Sequence, residues 1–383
     1  MNRLNQLTEI HQSGKPYIIY KSKKGFNLYT NFSKKIILNN KNIKSFLTKK
    51  NKKKSKDTDL FIGFFGYELL NNLIDVKIPK QKNLNFPKGI FYKPEKKIKL
   101  SNKLNYDFEN FKSGNFKINI NRKNYTKIFN KFKKKIKSGE TYQIKICTKY
   151  KTKSKINPLD FFSRLSNTNL APEAFMIKDH NYSIISCSPE TLITKKGSDI
   201  STKPIAGTVK KTKHLNKMKA LNYFRKNLKE TKEHNMIVDM ERNDLSRICK
   251  VGTVKLSKQK IVEEYKDLFH YVSLIKGKLK KNINNFEIIK AMMPGGSVIG
   301  CPKINTLNLL NNQEKENRNI YTGSFGYIKF NGDMRFNIII RSILNFKNIS
   351  EISVASGVVV DSNANHEFNE NFLKAKALID LFK

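Results

Sequence analysis

Two pairs of carboxylates, each spaced three residues apart, are the side chains here best suited to chemistry. Glu230 and Glu233 lie in Lys229-Glu-Thr-Lys-Glu-His-Asn-Met-Ile-Val-Asp239, and Glu367 and Glu370 in His366-Glu-Phe-Asn-Glu-Asn-Phe-Leu-Lys374. On a helix, positions i and i+3 share a face, so each pair would project together. Clustered carboxylates repel unless protons or a cation intervene, and their hard oxygens suit Mg²⁺. Taken alone, such pairs are more often solvated helix faces. Two glycine-rich segments also stand out, Lys203-Pro-Ile-Ala-Gly-Thr208 and Met293-Pro-Gly-Gly-Ser-Val-Ile-Gly-Cys-Pro-Lys303. The second runs into a helical pattern near Pro302, where backbone N–H groups could hold an anion. A tight turn that serves packing alone is the alternative. Neither segment is a phosphate loop or a dinucleotide fingerprint.

Helices must present the carboxylate pairs. One helical pattern covers 214–248, with a possible break, and another covers 366–382. In the latter, Phe368, Phe372, Ala375, Ile379 and Phe382 form an apolar stripe that leaves Glu367, Glu370 and Lys374 on a different face. Tyr125, Ile128, Phe129, Phe132 and Ile136 recur at helical spacing, with Gly139 placed to end that helix. Further helices are predicted at 284–292 and 302–313. Thr141 to Thr148 alternates as a strand, and strands are predicted at Tyr17 to Tyr20, Lys35 to Leu38, 174–178, 183–187, 321–330, 335–344 and 351–360. The run Phe61-Ile-Gly-Phe-Phe-Gly-Tyr-Glu-Leu-Leu70 fits a strand whose glycines allow close backbone packing. Residues 96–120 read as a polar linker. Strands in runs with helices between the runs predict an α+β fold.

Composition narrows the class. The chain has 383 residues, 38% of them hydrophobic, enough for a sizeable core without disulfides. Cys147, Cys187, Cys249 and Cys301 are scattered, with no C-x-x-C pair, so they read as buried free thiols. The formal charge of +44 comes from lysine spread along the chain together with asparagine and isoleucine, a pattern that codon bias explains. The runs Lys49 to Lys54 and Lys133 to Lys137 lack arginine and interleaved aromatics, so no specific nucleic acid is implied. Met1 to Gly14 carries no apolar segment, and no window approaches the ~20 apolar residues of a membrane span. The chain reads as cytoplasmic.

Eight segments, in order, resemble the chorismate-utilising family of anthranilate, aminodeoxychorismate, isochorismate and salicylate synthases. They are Ser138-Gly-Glu-Thr-Tyr-Gln-Ile144, Ser188-Pro-Glu190, Pro204-Ile-Ala-Gly-Thr208, Glu233-His through Asp244, His270-Tyr-Val-Ser273, Pro294-Gly-Gly-Ser through Lys303, Gly323-Ser-Phe-Gly-Tyr327, and Asp361 through Lys374. The resemblance is close over about 121–383, taken as the chorismate-binding core, and looser near Phe61 to Pro94; residues 1–120 are taken as a short, divergent N-terminal part. It implies two large, mostly antiparallel sheets packed as a sandwich with outer helices. By matching position, Glu233 and Glu370 are expected to bind Mg²⁺ directly, with Glu230 and Glu367 acting through water. Arg341 and Lys374 would meet substrate carboxylates. Tyr327 and the backbone near Gly357 would line the pocket, with Ala206, Thr208 and Ser297. Glu190 is the candidate general acid, and His270 matches an active-site histidine.

Two positions bear on the branch. Gln143 stands where the water-adding synthases carry a lysine base; glutamine cannot deprotonate water, so attack by ammonia at C2 is implied. Ala206 stands where aminodeoxychorismate synthases typically carry a lysine suited to a covalent adduct at C2. Against this, Pro294-Gly-Gly-Ser297 and Arg335 to Arg341 resemble the aminodeoxychorismate branch, and no Leu-Leu-Glu-Ser-type segment for tryptophan feedback is found. Ala355-Ser-Gly357 departs from the usual Gly-Ala-Gly. Because Ala206 bears on mechanism, the resemblance reads as anthranilate synthase component I, with aminodeoxychorismate synthase component I as the alternative. No G-x-C-x-G glutaminase turn is found, so a separate glutamine amidotransferase subunit is the expected partner. A basic nucleic-acid-binding protein on a dead synthase fold is the remote rival.

Overall fold

The computed structural model describes residues 3–22, 24–49, 56–76, 78, 85–104, 114–168, 171–265 and 268–383. Among the described residues eighteen strands form one hydrogen-bonded sheet, and every pairing between them is antiparallel. One arm runs from Leu268–Lys278 through Asp199–Lys203, Thr191–Lys196, Met334–Asn337, Ser324–Lys329, Leu60–Phe65 and Gly89–Leu100 to Gly25–Ile37. The other runs from Gln143–Lys153 through Ile349–Val358, Ser342–Phe346, Tyr182–Ser188 and Glu173–Lys178 to Tyr17–Ser22. Tyr17–Ser22 and Gly25–Ile37 pair as a hairpin, so the two expected sheets are joined into one.

The arms pack face to face. Ile62, Phe64 and Phe325 from the first meet Ile18, Phe175, Ile184 and Leu344 from the second in one cluster. The Phe175 and Phe325 rings stack with centroids 3.7 Å apart. Each such buried side chain contributes about 1.5–3 kcal/mol. Helices cover the outer faces: Val238, Leu245 and Ile248 of Leu228–Ile248 pack with Leu192, Ile193 and Ile275 of the first arm. Ala375 and Leu378 of Ala364–Ile379 pack with Ile352 and Val354 of the second. The α+β sandwich expected from the sequence is therefore the observed fold.

Local signals punctuate the helices. Asn121 caps the helix Arg122–Lys137, and Gly139, at φ +78, follows its end. The pattern at 214–248 breaks at Asn227, which ends Lys217–Lys226 and caps Leu228–Ile248 through Glu230 N. All four cysteines are free, three of them buried.

Other expectations are corrected. The run from Phe61 to Leu70 is a strand only to Phe65; Gly66 turns it into the helix Tyr67–Leu73. A Cβ at Gly66 would meet two carbonyl oxygens within 2.9 Å, and one at Gly63 would collide with the neighbouring strand. The expected linker 96–120 contains the end of Gly89–Leu100 and the short strand Lys117–Ile118; 105–113 lie outside the described residues, as do 50–54 of the first lysine run. Strand 335–344 is two strands, Met334–Asn337 and Ser342–Phe346, split by the irregular segment 338–341. On the last helix the buried edge is Glu367, Asn371, Ala375 and Leu378, whereas Phe372 is 46% exposed. That helix thus turns a carboxylate inward where apolar periodicity had placed a phenylalanine.

Candidate active site

A cavity of about 420 Å³ opens between the arms, a size suited to a small organic ligand. Two helices bring acid to it: Glu230 and Glu233 from Leu228–Ile248, Glu367 and Glu370 from Ala364–Ile379. The i, i+3 spacing does what it promised, since all four carboxylates line the same cavity. Among the described residues, one group places metal-ligand atoms within 4.8 Å of one another: His366, Glu367 and Glu370. Glu233 stands outside that group. Its Oε1 accepts from Lys145 Nζ at 2.8 Å and from Gln143 Nε2 at 2.7 Å. Burial works against the Glu233 charge, but these donors outweigh it and hold its pKa below the usual value. Glu370 pairs with Lys374 at 2.6 Å, and Lys374 also donates to the Ala355 carbonyl.

The opposite side is built where the chain crosses between arms. Pro189 and Glu190 connect Tyr182–Ser188 of one arm to Thr191–Lys196 of the other. Residues 338–341 connect Met334–Asn337 to Ser342–Phe346. The crossings clasp each other: Ile338 N donates to Glu190 O, Ser188 Oγ to Ile338 O, and Cys187 N to Arg341 O. Glu190 is buried in the cavity wall with its Oε1 accepting from Ser297 Oγ at 2.8 Å. Burial pushes its pKa up to about 7, with Ser297 and the Lys145 charge only partly opposing. A carboxyl so tuned holds a proton near neutral pH, as a general acid must.

Arg341 has a backbone φ of +50, a left-handed conformation uncommon for a residue with a side chain. No carboxylate among the described residues pairs with its guanidinium, and burial pulls its pKa below the usual value. A desolvated cation facing a cavity is an anion-binding group. Thr208 lines the cavity and is held from behind by His270, whose Nδ1 lies 2.8 Å from Thr208 Oγ1. Burial, helped by Arg341, lowers the His270 pKa to about 4, so the ring is neutral.

A family model described as chorismate binding enzyme matches residues 10–380. The chain belongs to the chorismate-binding enzyme family. Among relatives, it is 34% identical over 267 residues to aminodeoxychorismate synthase component 1 of Bacillus subtilis (strain 168), covering 70% of this chain and 57% of that one. It is 36% identical over 263 residues to anthranilate synthase component 1 of Arthrobacter globiformis, covering 67% of this chain and 50% of that one. These matches thus span only about half of each relative's length. The crystal structure of anthranilate synthase component I from Streptococcus pneumoniae TIGR4 superposes with a TM-score of 0.77 at 25% identity, covering 95% of this chain and 92% of that one.

Within this family framework, the expected residues divide three ways. Glu190, Ala206, Thr208, Glu230, Glu233, Ser297, Arg341, Gly357, Glu367, Glu370 and Lys374 line the cavity. Gln143 and His270 sit just behind its wall, each holding a residue that lines it. Tyr327 is elsewhere: it packs with the interior cluster, its ring 6.3 Å from that of Tyr20. The tyrosine on the cavity is Tyr321, in a turn with Thr322 at φ +61 ahead of the strand Ser324–Lys329. The glycine-rich segment reaches the cavity through Ser297 and Val298 rather than through the helix that starts at Lys303; Lys303 is instead paired with Asp244. Lys145 was missed altogether. Strand alternation carried the signal, because Lys145 shares a face with Gln143.

Proposed function

We propose that this chain catalyses the Mg²⁺-dependent amination of chorismate, giving anthranilate and pyruvate with release of water. Ammonia would come from a separate glutaminase subunit. The observation that carries this reading is the convergence on one cavity of four helix-borne carboxylates, a protonatable Glu190 and an arginine with no carboxylate partner among the described residues. A hard-oxygen donor set of this kind fits Mg²⁺. Glu233 and Glu370 would hold it directly, with Glu230 and Glu367 acting through water. Bound there, Mg²⁺ would neutralise a substrate carboxylate and draw charge toward it as the C4 hydroxyl leaves.

The remaining steps use the chain's own groups. Arg341 and Lys374 bind substrate carboxylates. Glu190 gives its proton to the departing hydroxyl, and Ser297 fixes the rotamer from which it does so. His270 orients Thr208. Gln143, fully buried, donates to Glu233 while its Oε1 has no hydrogen-bond partner among the described residues. That acceptor is suited to orienting ammonia, which donates hydrogen bonds, and it cannot ionise water.

The product reading rests on Ala206, which lines the cavity without offering a nucleophile. Lys145 brings an amine to the same cavity, and this favours a second reading, aminodeoxychorismate synthesis through a covalent adduct at C2. Against that reading, the Lys145 nitrogen is committed to an ion pair with Glu233, and an ammonium has no lone pair to attack with. The test incubates the chain with chorismate, Mg²⁺ and an ammonium salt, with and without aminodeoxychorismate lyase. Fluorescent anthranilate and pyruvate are expected without the lyase. Formation of 4-aminobenzoate only with the lyase would establish the second reading, and isochorismate as main product would overturn both.

A further inference from the structure

The two carboxylates proposed above to hold the metal directly each already carry an ammonium, Glu233 that of Lys145 and Glu370 that of Lys374. The two pairs differ in kind. Lys374 and Glu370 are an i, i+4 pair on one helix, with side chains 45% and 36% exposed; such pairs are weak and open easily. Lys145 reaches Glu233 from a different element, the strand Gln143–Lys153, and the two side chains are only 14% and 20% exposed. Gln143 donates to the same Glu233 oxygen.

The surroundings are shaped to hold the lysine there. Gly357 lies opposite Lys145 in the strand ladder. A Cβ at 357 would stand 2.6 Å from Lys145 Nζ and 2.9 Å from Gln143 Nε2, so the glycine makes the room both head groups use. His366, Glu367 and Glu370 have ligand atoms close enough to share one ion, while Glu233, held by its two donors, stands outside their group.

We propose that Lys145 is a tethered cation that occupies Glu233 in competition with the divalent metal, so that metal enters the complete site only by displacing the lysine ammonium. This rests on Glu233 being a metal ligand. A monovalent ammonium and a divalent ion cannot share one carboxylate oxygen at contact distance without strong repulsion. Lys145 therefore lowers affinity for the ion, and the acid-rich cavity stays charge-compensated without one. Once displaced, the ammonium remains on the cavity wall, where a substrate carboxylate can take it up.

The test measures Mn²⁺ binding to the full chain without substrate, by the electron paramagnetic resonance signal of free Mn²⁺, with calorimetry for Mg²⁺. Lys145→Met and Lys145→Gln are both made, and circular dichroism verifies that each is folded. Both are expected to bind Mn²⁺ about tenfold or more tighter than the unmodified chain. Glu233→Gln should weaken binding, and adding it to Lys145→Met should erase the gain, because the gain consists of freeing Glu233. If both Lys145 variants bind no tighter while Glu233→Gln still weakens binding, the competition is wrong and the metal reading survives. If Glu233→Gln leaves Mn²⁺ binding unchanged, or no form of the chain binds Mn²⁺, Glu233 is not a ligand and the proposal falls with the reading beneath it.

Discussion

Replacing Glu190 by glutamine should abolish turnover and, at the same time, stabilise the protein above neutral pH. Burial raises the Glu190 pKa from 4.5 to about 7 in the fold. Between those values the unfolded chain has released this proton while the native protein keeps it, so the native state binds more protons and loses stability as pH rises. The contribution is fully present below pH 4.5 and is lost as pH climbs through about 7. A difference of roughly 2.5 pH units at about 1.4 kcal/mol each gives a cost on the order of 3 kcal/mol at pH 8. Glutamine keeps an oxygen for Ser297 Oγ and has no charge to desolvate. Its new amide hydrogens need acceptors, which makes that figure an upper bound. Urea denaturation at pH 5 and pH 8 provides the assay. The variant's advantage should be largest at pH 8 and shrink toward zero near pH 4.5, with ammonia-dependent activity lost throughout. An equal or lower stability at pH 8 would refute the desolvation argument, and retained activity would refute the general-acid role.

Ser297→Ala removes the donor that favours the ionised Glu190, so the pKa of that carboxyl should rise further. The alkaline limb of kcat, compared with the unmodified chain at equal free ammonia, should move up by about one pH unit; an unmoved or acid-shifted limb would exclude the contact as a tuning device. Arg341→Met should raise KM for chorismate by about thirtyfold or more, as loss of a desolvated charge partner does. Because no described carboxylate pairs with Arg341, its removal should leave thermal stability unchanged or higher; an unaltered KM would remove Arg341 from the substrate site.

How much of this was legible depended on the range of the signal. Glu230, Glu233, Glu367 and Glu370 could be read because the i, i+3 rule is local and each helix obeys it. Gly139 is readable as helix punctuation for the same reason, while the break within 214–248 is expected without the residue, Asn227, that makes it. The apolar stripe through Phe372 fails because periodicity marks hydrophobic positions, whereas the buried edge of that helix is set by packing on the second arm, where Asn371 donates to Ile146 O and Ala375 and Leu378 meet Ile352 and Val354, with Glu367 turned to the cavity. Tyr327 is expected on the cavity only from the resemblance of Gly323-Ser-Phe-Gly-Tyr327, and a motif match does not fix which way a side chain points. The turn with Thr322 at φ +61 sets Tyr321 apart from the strand that carries Tyr327 into the interior. Lys145 was hidden by abundance, one basic residue among 75. Its significance depends on Glu233, which is distant in sequence, and on the space left by Gly357, and no local pattern encodes either.

The same contrast explains why Glu190 and Arg341, far apart in the chain, share a wall. Each sits where the chain leaves one arm of the sheet and enters the other. Such a crossing cannot continue a strand, because the arms face each other and the backbone must bend between them. Bending uncouples backbone groups from the ladder, and these groups are satisfied instead by the other crossing, through Ile338 N to Glu190 O and Cys187 N to Arg341 O. The bend also accounts for the φ of +50 at Arg341, an uncommon conformation held in place by those mutual bonds. A side chain at such a point can project into the gap between the arms rather than onto an outer face. Charge then follows from position. The excess of lysine over the surface is screened beyond roughly 8–10 Å in physiological salt, so it does not decide the protonation of groups inside the gap. Burial and immediate neighbours do: Ser297 and desolvation for Glu190, Lys145 and Gln143 for Glu233. A chain with a formal charge of +44 can therefore hold an acid-rich cavity, because the sheet's crossings and two helix faces bring Glu190, Glu230, Glu233, Glu367 and Glu370 together there.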